Sequence, residues 1–323
     1  MTLRWLALVS LISFGCRHGD AAGAQAPGAA AGTIHELANG VSVREVVLDR
    51  EGTPMTVWIY RPAAKIEGPR PVILIAPAGT PLIWGMKLGD GDRAEHVPWA
   101  ERGYLVVAYS LDGPVADRED VAAIEVGVRA FVRANAGLDN ARAAVELALT
   151  SEPRADPERV YTVGHSSAAT LALRAGGQLP QVKAIVAFSP VTDVDSHVMP
   201  FMQPIKQMDP LAPARLHASS PIAHLSELRY KPVFLFHSTE DAVVPVGESE
   251  KLAEALEPFQ SPSRLLIVPT GDHYHSMIEQ GLPAAMPWLD ARAGLAPDAG
   301  DAPADGAAPA VETPKTPEAP APP

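Results

Sequence analysis

A short segment near the middle of the chain constrains the fold more than any other. Residues 160–163 are β-branched or aromatic, which predicts a buried strand, and residues 169–173 are mostly alanine and leucine, which predicts a helix. Between them lies the run Gly-His-Ser-Ser-Ala at positions 164–168. A strand, a tight turn of small residues and a helix around a G-x-S-x-small pattern predict a nucleophile elbow, with Ser166 exposed at the helix N-terminus.

The rest of the chain alternates between strand and helix patterns. Apolar or β-branched runs predict strands at residues 41–48, 55–60, 71–76, 104–109, 182–188, 232–237 and 264–268. Amphipathic segments predict helices at residues 93–103, 117–134, 140–149, 246–256 and 273–291. The turn sequence Gly-Thr-Pro at 52–54 predicts that the first two strands form an antiparallel hairpin. We therefore predict an α/β fold with a mostly parallel central sheet flanked by helices.

Particular residues give sharper predictions for two of these helices. Asp139 or Asn140 is expected to cap the helix that begins near position 140, because a short polar side chain can accept a hydrogen bond from a free helix amide. Gly281 and Pro283 should interrupt the last helix, because glycine and proline both disfavour a helix interior.

Residues 189–228 follow neither pattern for long and contain several prolines and methionines. The segment is longer than a simple connection between two elements of an α/β domain. It is therefore a candidate cap or substrate-facing insertion. The alternative interpretation is a surface segment with a few short helices.

Two later loops contain the side chains that a serine nucleophile needs. A serine hydroxyl is weak at neutral pH, so it requires a base, and a histidine base requires a carboxylate that holds its tautomer. Asp241 follows a predicted strand, with Glu240 as a competing choice. His273 follows the last predicted strand, with His275 as the alternative base. Because the carboxyl ends of parallel strands meet at one edge of a sheet, this order predicts a triad of Ser166, Asp241 and His273.

On these residues the sequence resembles the α/β-hydrolase superfamily, and within it the dienelactone hydrolase and prolyl oligopeptidase catalytic-domain group. The resemblance covers about residues 41–290. It rests on Gly-His-Ser-Ser-Ala at 164–168, Ser-Pro at 220–221, H-x-x-x-D-x-x-V-P at 237–245 and Gly-Asp-His at 271–273. The resemblance implies that Ser166 is the nucleophile, Asp241 the acid and His273 the base.

The resemblance also implies an oxyanion hole made of backbone N–H groups. One donor would be Ser167, the residue after the nucleophile, and the other Ala78 or Gly79 in the loop after the predicted strand at 71–76. The sequence departs from the group here, because this loop contains Pro-Ala-Gly where His-Gly is usual. Ala168 also replaces the usual glycine, at a cost on the order of 1 kcal/mol from the added methyl group.

These residues favour a serine hydrolase that needs no cofactor and no metal. The sequence contains no H-E-x-x-H zinc motif, no G-x-G-x-x-G and no Walker motif. We expect no counterpart of the large propeller domain of prolyl oligopeptidases, which favours a carboxylesterase working through an acyl-enzyme. A serine peptidase acting on short peptides is one alternative. A non-catalytic binding lipoprotein of the cell envelope with the same fold is the other.

The N-terminus predicts export from a bacterial cell. Arg4 precedes an apolar run at 5–14, which is too short to span a membrane but matches the core of a signal peptide. The run is followed by Cys16, the only cysteine of the chain. This arrangement resembles a bacterial lipoprotein signal, which implies acylation of Cys16 and a membrane-anchored protein of the cell envelope. An ordinary secretory signal with an incidental cysteine is the alternative.

Composition suggests four segments and restricts the partners. We expect a signal peptide at 1–15, a flexible tether at 16–33, a hydrolase domain at 34–293 and a disordered tail rich in proline and alanine at 294–323. With 26 basic and 38 acidic residues the net charge is −12. An acidic chain disfavours nucleic acid, because binding phosphates requires a basic face. The expected partners are a small ester or peptide substrate and, through Cys16, the membrane.

Overall fold

The computed structural model describes residues 32–63 and 67–295. Within these ranges nine strands form one sheet. The strands are β1 Thr33–Glu36, β2 Ser42–Arg50, β3 Thr53–Arg61, β4 Arg70–Ile75, β5 Leu105–Tyr109, β6 Ala155–His165, β7 Val182–Phe188, β8 Val233–Ser238 and β9 Ser263–Val268. Their order across the sheet is β1-β2-β3-β5-β4-β6-β7-β8-β9.

The sheet is parallel from β5 through β4, β6, β7 and β8 to β9, and antiparallel at the β1, β2 and β3 edge. The predicted hairpin of β2 and β3 and the predicted mostly parallel sheet are therefore confirmed. β1 is an additional edge strand, which the sequence did not predict. The loops after β4, β6, β8 and β9 leave the sheet at its carboxyl edge, where ligands bind in folds of this type.

Ten α-helices lie among the described residues. They are α1 Arg93–Glu101, α2 Val121–Arg133, α3 Leu138–Ser151, α4 Ser167–Gln178, α5 Val194–Val198, α6 Met202–Met208, α7 Ala212–His217, α8 Leu225–Leu228, α9 Gly247–Leu256 and α10 Leu282–Ala293. None of the described helices is long and apolar enough to cross a membrane. The segments predicted to be the signal peptide and most of the tether and tail lie outside the described residues.

The core has one layer on each face of the sheet. Alternate side chains of β4 point to opposite faces, because successive residues of a strand alternate in direction. Val72 and Leu74 join a cluster with α2, α3, α4 and α9, whereas Ile73 and Ile75 join one with α1 and α10. This burial on both faces explains why β4 is apolar throughout its interior, and it holds the carboxyl edge rigid.

Residues 189–228 form four short helices, α5 to α8, with a small core of their own. Val194, Val198 and Leu216 are fully buried in a cluster that also contains Val128 and Val132 of α2. The segment is thus an insertion of short helices packed against α2. The packing of apolar side chains against α2 fixes its position.

Three helix ends differ from the sequence prediction. The expected cap of α3 by Asp139 or Asn140 is wrong, because the helix begins at Leu138 after Gly137, whose φ of 89° requires glycine. Asn140 is instead buried and donates to the backbone oxygen of Ser110. The helix α2 begins at Val121 rather than 117, where the side chain of Asp120 accepts hydrogen bonds from two free amides.

The last helical segment begins later than predicted. Its first turn is a π-helix, Met277–Gly281, which continues directly into α10. Pro283 lies next to the point where the π-helix passes into α10, so the residues predicted to interrupt the helix coincide with a change of helix type. His273 therefore lies in the loop before the helix, as part of the carboxyl edge of the sheet.

Candidate active site

Ser166 lies at a sharp turn between β6 and α4. Its backbone has φ 55° and ψ −125°, a sparsely populated conformation that costs about 1–3 kcal/mol and is held by the surrounding packing. The amide of Ser166 donates a 2.8 Å hydrogen bond to the backbone oxygen of Phe188 in β7. A Cβ atom on Gly164 would lie 2.3 Å from the backbone oxygen of Ala168, so the turn requires glycine at that position.

Asp241 and His273 are joined across the loops after β8 and β9. The Oδ2 atom of Asp241 lies 2.6 Å from Nδ1 of His273. Its Oδ1 atom accepts hydrogen bonds of 2.9 Å from the amides of Val243 and Val244. The carboxylate is inaccessible to solvent, whereas the imidazole keeps 15% of its surface exposed. This arrangement fixes the carboxylate and leaves one side of the imidazole open.

Hydrogen bonding keeps the buried carboxyl group of Asp241 ionised. Burial alone would raise its pKa. Hydrogen bonds from His237 and His273, and then from the amides of Val244 and Val243, outweigh burial and hold the pKa of Asp241 well below its usual range. An ionised carboxylate at Nδ1 requires a proton on that atom. The neutral His273 ring then has a free acceptor at Nε2.

His237 supports the carboxylate from beneath. Its side chain is fully buried, with Nε2 2.9 Å from the backbone oxygen of Val244 and 3.3 Å from Oδ2 of Asp241. Its Nδ1 atom lies 2.8 Å from Oγ of Ser249 in α9. Because a backbone oxygen only accepts, Nε2 bears the proton, and Nδ1 accepts from the serine. In the sequence His237 is distinguished only as the first residue of the pattern at 237–245, and its spacing of four residues from Asp241 is the signal for its supporting role.

The two competing side chains have other partners. His275 is 68% exposed, and its Nδ1 atom lies 2.8 Å from Oδ2 of Asp272 on the surface. Glu240 accepts a 2.9 Å hydrogen bond from the amide of Gly271 and so holds the loop that contains His273. The structure therefore brings His273, and not His275, to Asp241.

Ser166 and His273 line one cleft of about 320 Å³. Four other lining residues, Ala78, Gly79, Asp92 and Glu95, come from the chain after β4. Within the described part of the chain, the lining includes no residue from 189–228. The insertion thus shapes the surroundings of the cleft without contributing to its wall.

The predicted oxyanion loop approaches the start of α4. The hydroxyl of Ser167 accepts hydrogen bonds of 3.1 Å from the amides of Gly79 and Thr80. The Gly79 amide is therefore engaged, whereas the Ala78 amide donates to no group in residues 32–63 and 67–295. The amide of Ser167 itself lies in the first turn of α4, where helix amides have no intrahelical acceptor.

His165 links the elbow to the loop that contains His273. Its Nε2 atom lies 2.9 Å from the backbone oxygen of His273, and the centres of the two rings are 4.5 Å apart. Its Nδ1 atom faces Oε1 of Glu95 at 3.7 Å, which is too far for a hydrogen bond. The sequence suggested only a packing role for His165 and did not identify Glu95. The contacts arise between residues distant in sequence.

No metal centre accompanies this site in the described ranges. Residues 32–63 and 67–295 contain no cluster of three or more histidine, cysteine, aspartate or glutamate side chains arranged to hold a metal ion. Cys16, the predicted lipidation site, lies outside these ranges. The polar side chains that line the cleft are thus those of one serine, two histidines, two carboxylates and one tyrosine.

Comparison with known proteins gives one family and many similar structures. The sequence profile of the Prolyl oligopeptidase family matches residues 134–291, a segment that includes Ser166, Asp241 and His273. A search of curated protein sequences finds no match. Similar structures include Pyrococcus horikoshii acylaminoacyl peptidase, with a TM-score of 0.63 at 19% identity over 78% of this chain and 41% of that one.

Two further structures represent both kinds of activity. A Mycobacterium tuberculosis puromycin-hydrolyzing peptidase has a TM-score of 0.57 at 19% identity, over 80% of this chain and 47% of that one. Acetyl xylan esterase 1 from Thermoanaerobacterium sp. JW/SL YS485 has a TM-score of 0.56 at 16% identity, over 80% of this chain and 86% of that one. The chain thus spans less than half the length of these two peptidases and most of the length of the esterase.

The mostly parallel sheet, the elbow and the similar structures define an α/β-hydrolase fold. Residues 134–291, just under half of the chain, match the Prolyl oligopeptidase family, so this segment is similar to the prolyl oligopeptidases. The class of substrate is a separate matter, because both peptidases and esterases have this fold.

Proposed function

We propose that the protein is a carboxylesterase whose catalytic triad is Ser166, Asp241 and His273. The observation that carries the proposal is the 2.6 Å contact between Asp241 and His273 beside a cleft that Ser166 also lines. A carboxylate held in this way orients the imidazole and stabilises the imidazolium that forms during catalysis. The similarity to a full-length esterase structure supports an ester as the substrate.

The proposed reaction proceeds through an acyl-enzyme. His273 Nε2 takes the proton of the Ser166 hydroxyl as its oxygen attacks the ester carbonyl, forming a tetrahedral intermediate. The ester bond then breaks, and the imidazolium gives its proton to the leaving alcohol. Water, activated by the same imidazole, attacks the acyl-enzyme, releases the carboxylic acid and restores the serine. Asp241 remains ionised throughout.

The proposed oxyanion hole combines the amides of Ser167 and Ala78. We favour Ala78 over Gly79 because the Gly79 amide already donates to the Ser167 hydroxyl. That contact holds the loop against α4 and would fix the Ala78 amide near the nucleophile. Each donor of this kind contributes about 3 kcal/mol to stabilisation of the transition state.

A fluorophosphonate probe tests the nucleophile directly. We expect the wild-type protein to be labelled and Ser166→Ala to be unlabelled, whereas Ser196→Ala, at an exposed serine of the insertion, should label like the wild type. If the folded wild-type protein resists the probe, the non-catalytic binding lipoprotein becomes the better interpretation. Peptide mapping of the labelled protein should place the adduct on Ser166.

A serine peptidase acting on short peptides is the second candidate, because two of the similar structures are peptidases. Kinetics with 4-nitrophenyl esters and with aminoacyl 4-nitroanilides separate the two. We expect esters of small acids to be hydrolysed and the anilides to be poor substrates. Faster hydrolysis of the anilides, at matched acyl groups, would assign the protein to the peptidases.

We further propose that acylated Cys16 anchors the enzyme to a membrane of the bacterial cell envelope. The support is the position of the only cysteine directly after an apolar run of signal-peptide length. Cys16→Ser should move the protein from the membrane fraction to the soluble fraction of a bacterial host and abolish labelling by a radioactive fatty acid. Unchanged membrane retention of the serine variant would overturn the anchor.

A further inference from the structure

One wall of the cleft is acidic, and its central carboxylate lacks hydrogen-bond donors. Glu95 lies in the first turn of α1, is only 7% exposed and lines the same cleft as Ser166. Its side chain accepts no hydrogen bond from the described residues, and its closest charged neighbour is Nδ1 of His165 at 3.7 Å. A carboxylate that lines a cleft and has no donors from the protein is a candidate ligand contact.

The tautomer of His165 increases this deficit. The backbone oxygen of His273 can only accept, so the 2.9 Å contact places the proton of His165 on Nε2. In the neutral form of the ring, Nδ1 is bare, has no hydrogen-bond partner and faces the carboxylate of Glu95. Two acceptors therefore face each other, and a group with several N–H donors would satisfy both.

Asp92 and Tyr274 complete the same wall. Burial, together with the negative charge of Glu95, raises the pKa of Asp92 to about 6, although a hydrogen bond from the amide of Gly89 opposes the rise. Tyr274 lines the same cleft as both carboxylates, and burial and the charges of Glu95 and Asp92 raise the pKa of its hydroxyl. An aromatic ring beside two carboxylates favours a cation.

The neighbouring arginine does not neutralise this wall. Arg93 is bonded to Asp90 and to Glu45, and its guanidinium lies 4.5 Å from the centre of the Trp58 ring. The two carboxylates and His165 form no group suited to a metal ion within the described residues. The unmet requirement is therefore for N–H donors with a positive charge, which a primary ammonium group supplies.

We propose that Glu95 and Asp92, with the ring of Tyr274, form a subsite for a primary ammonium group of the substrate. The proposal rests on the carboxylesterase function proposed above and names its substrate class, an ester with an amino group close to the scissile bond. Glu95 accepts from the ammonium directly, and Asp92 and Tyr274 stabilise its charge. Glu95 and Asp92 are specificity residues in this scheme and take no part in bond breaking.

Two isosteric esters test the subsite. 4-Nitrophenyl 3-aminopropanoate and 4-nitrophenyl butanoate differ only in an ammonium group that replaces a terminal methyl group. We expect the wild-type enzyme to have a kcat/KM at least about tenfold higher for the amino ester, from a charge-assisted hydrogen bond. Glu95→Gln should bring the ratio close to one, and Asp92→Asn should lower it less. The ratio cancels any loss of active protein, because both esters are measured on one preparation.

The matched control is Glu158→Gln. Glu158 lies near the amino end of β6, opposite to Ser166, and its side chain is 81% exposed. This substitution removes the same charge from the protein but should keep the wild-type ratio. A ratio that falls equally in Glu158→Gln and Glu95→Gln would assign the preference to the overall charge and overturn the subsite.

A second measurement does not depend on whether the ammonium group belongs to the acyl or to the alcohol part of the substrate. 2-Phenylethylamine should slow fluorophosphonate labelling of the wild-type protein at concentrations where 2-phenylethanol does not, and Glu95→Gln should abolish the difference. If neither the ester ratio nor the protection depends on Glu95, the subsite is wrong while labelling still supports the hydrolase. If the protein is not labelled at all, the hydrolase proposal fails. Calorimetric binding of 2-phenylethylamine to the wild type and to Glu95→Gln then decides the subsite alone.

Discussion

The two halves of the domain contribute to one cleft in different ways. Residues 134–291, which match the Prolyl oligopeptidase family, supply Ser166, Asp241 and His273. Each oxygen of the Asp241 carboxylate there has hydrogen-bond partners. The half before residue 134 supplies Asp92 and Glu95, and Glu95 accepts no hydrogen bond from the described residues.

The difference in hydrogen bonding between Asp241 and Glu95 fits two different roles, proposed here as catalysis for Asp241 and substrate binding for Glu95. A base must keep one tautomer and one orientation, which requires that its carboxylate be fully bonded before substrate arrives. A binding site instead needs acceptors without partners in the protein, because an acceptor that is already hydrogen-bonded within the protein binds a ligand only weakly. The two carboxylates of the acidic wall, Asp92 and Glu95, lie outside the segment that matches the family, so the family match gives no information about them.

The largest expected effect concerns the half of the domain in which Asp241 is hydrogen-bonded to His273. His273→Ala should lower kcat/KM for a 4-nitrophenyl ester by at least about 10⁴-fold, because it removes the proposed base. His275→Ala should leave kcat/KM essentially unchanged, because that side chain is exposed and paired only with Asp272. Steady-state kinetics on both variants, with circular dichroism as a check of folding, measures the difference. The reverse result would assign the base to His275.

The next effect concerns the support beneath Asp241. His237→Phe should lower the free energy of unfolding by about 2–4 kcal/mol, because it leaves the buried hydroxyl of Ser249 and the backbone oxygen of Val244 without partners. His217→Ala is the control, since His217 is 65% exposed and its ion pair with Asp195 lies at the surface. Urea denaturation should separate the two variants, and equal stabilities would show that His237 is not structurally important.

A smaller effect should follow from crowding the elbow. Gly164→Ala should destabilise the protein by about 1–3 kcal/mol, because the new methyl group would meet the backbone of Ala168. Gly247→Ala, in the first turn of α9, meets no atom within 4 Å and should be neutral or stabilising by up to about 1 kcal/mol. Thermal unfolding of both variants provides the measurement. A stable Gly164→Ala protein would contradict the close packing at the turn.

The smallest effect tests the acidic wall. The pKa of Asp92 is about 6 in the folded protein, above its value in the unfolded chain, so the folded state binds this proton more tightly. Stability should therefore fall as the pH rises through this pKa, and Asp92→Asn should remove that fall. The full shift corresponds to about 3 kcal/mol of lost stability, but solvent screening of a partly exposed group reduces this loss. At neutral pH, Asp92→Asn should therefore be more stable than the wild type by on the order of 1 kcal/mol.

Urea denaturation of the wild type and of Asp92→Asn, at pH values below and above the pKa of Asp92, measures this difference in stability. Asp92→Asn keeps a side-chain oxygen that can accept the hydrogen bond from the Gly89 amide. The variant therefore changes the charge and little else. An identical pH dependence in the variant and the wild type would show that folding does not raise the pKa of Asp92.

The sequence by itself determined the elements and their chemical order. Glycine at 164, small residues through 168 and a β-branched run before them specify a strand, a tight turn and a helix by local sterics alone. Alternation of strands and helices then specifies a parallel sheet, whose carboxyl edge collects the loops with Ser166, Asp241 and His273. These properties follow from patterns a few residues long, which is why the fold and the proposed triad were predictable.

Only the tertiary structure decided which polar groups meet. His273 lies 32 residues from Asp241 and 108 residues from His165, so no local pattern specifies either contact. The pairing of His275 with Asp272, the support by His237 and the acidic wall at Glu95 likewise depend on how loops from separate strands pack. A side chain finds its partner through the whole fold, because hydrogen bonds are directional and act over about 3 Å. The local sequence determines only the strand, helix or loop from which that side chain projects.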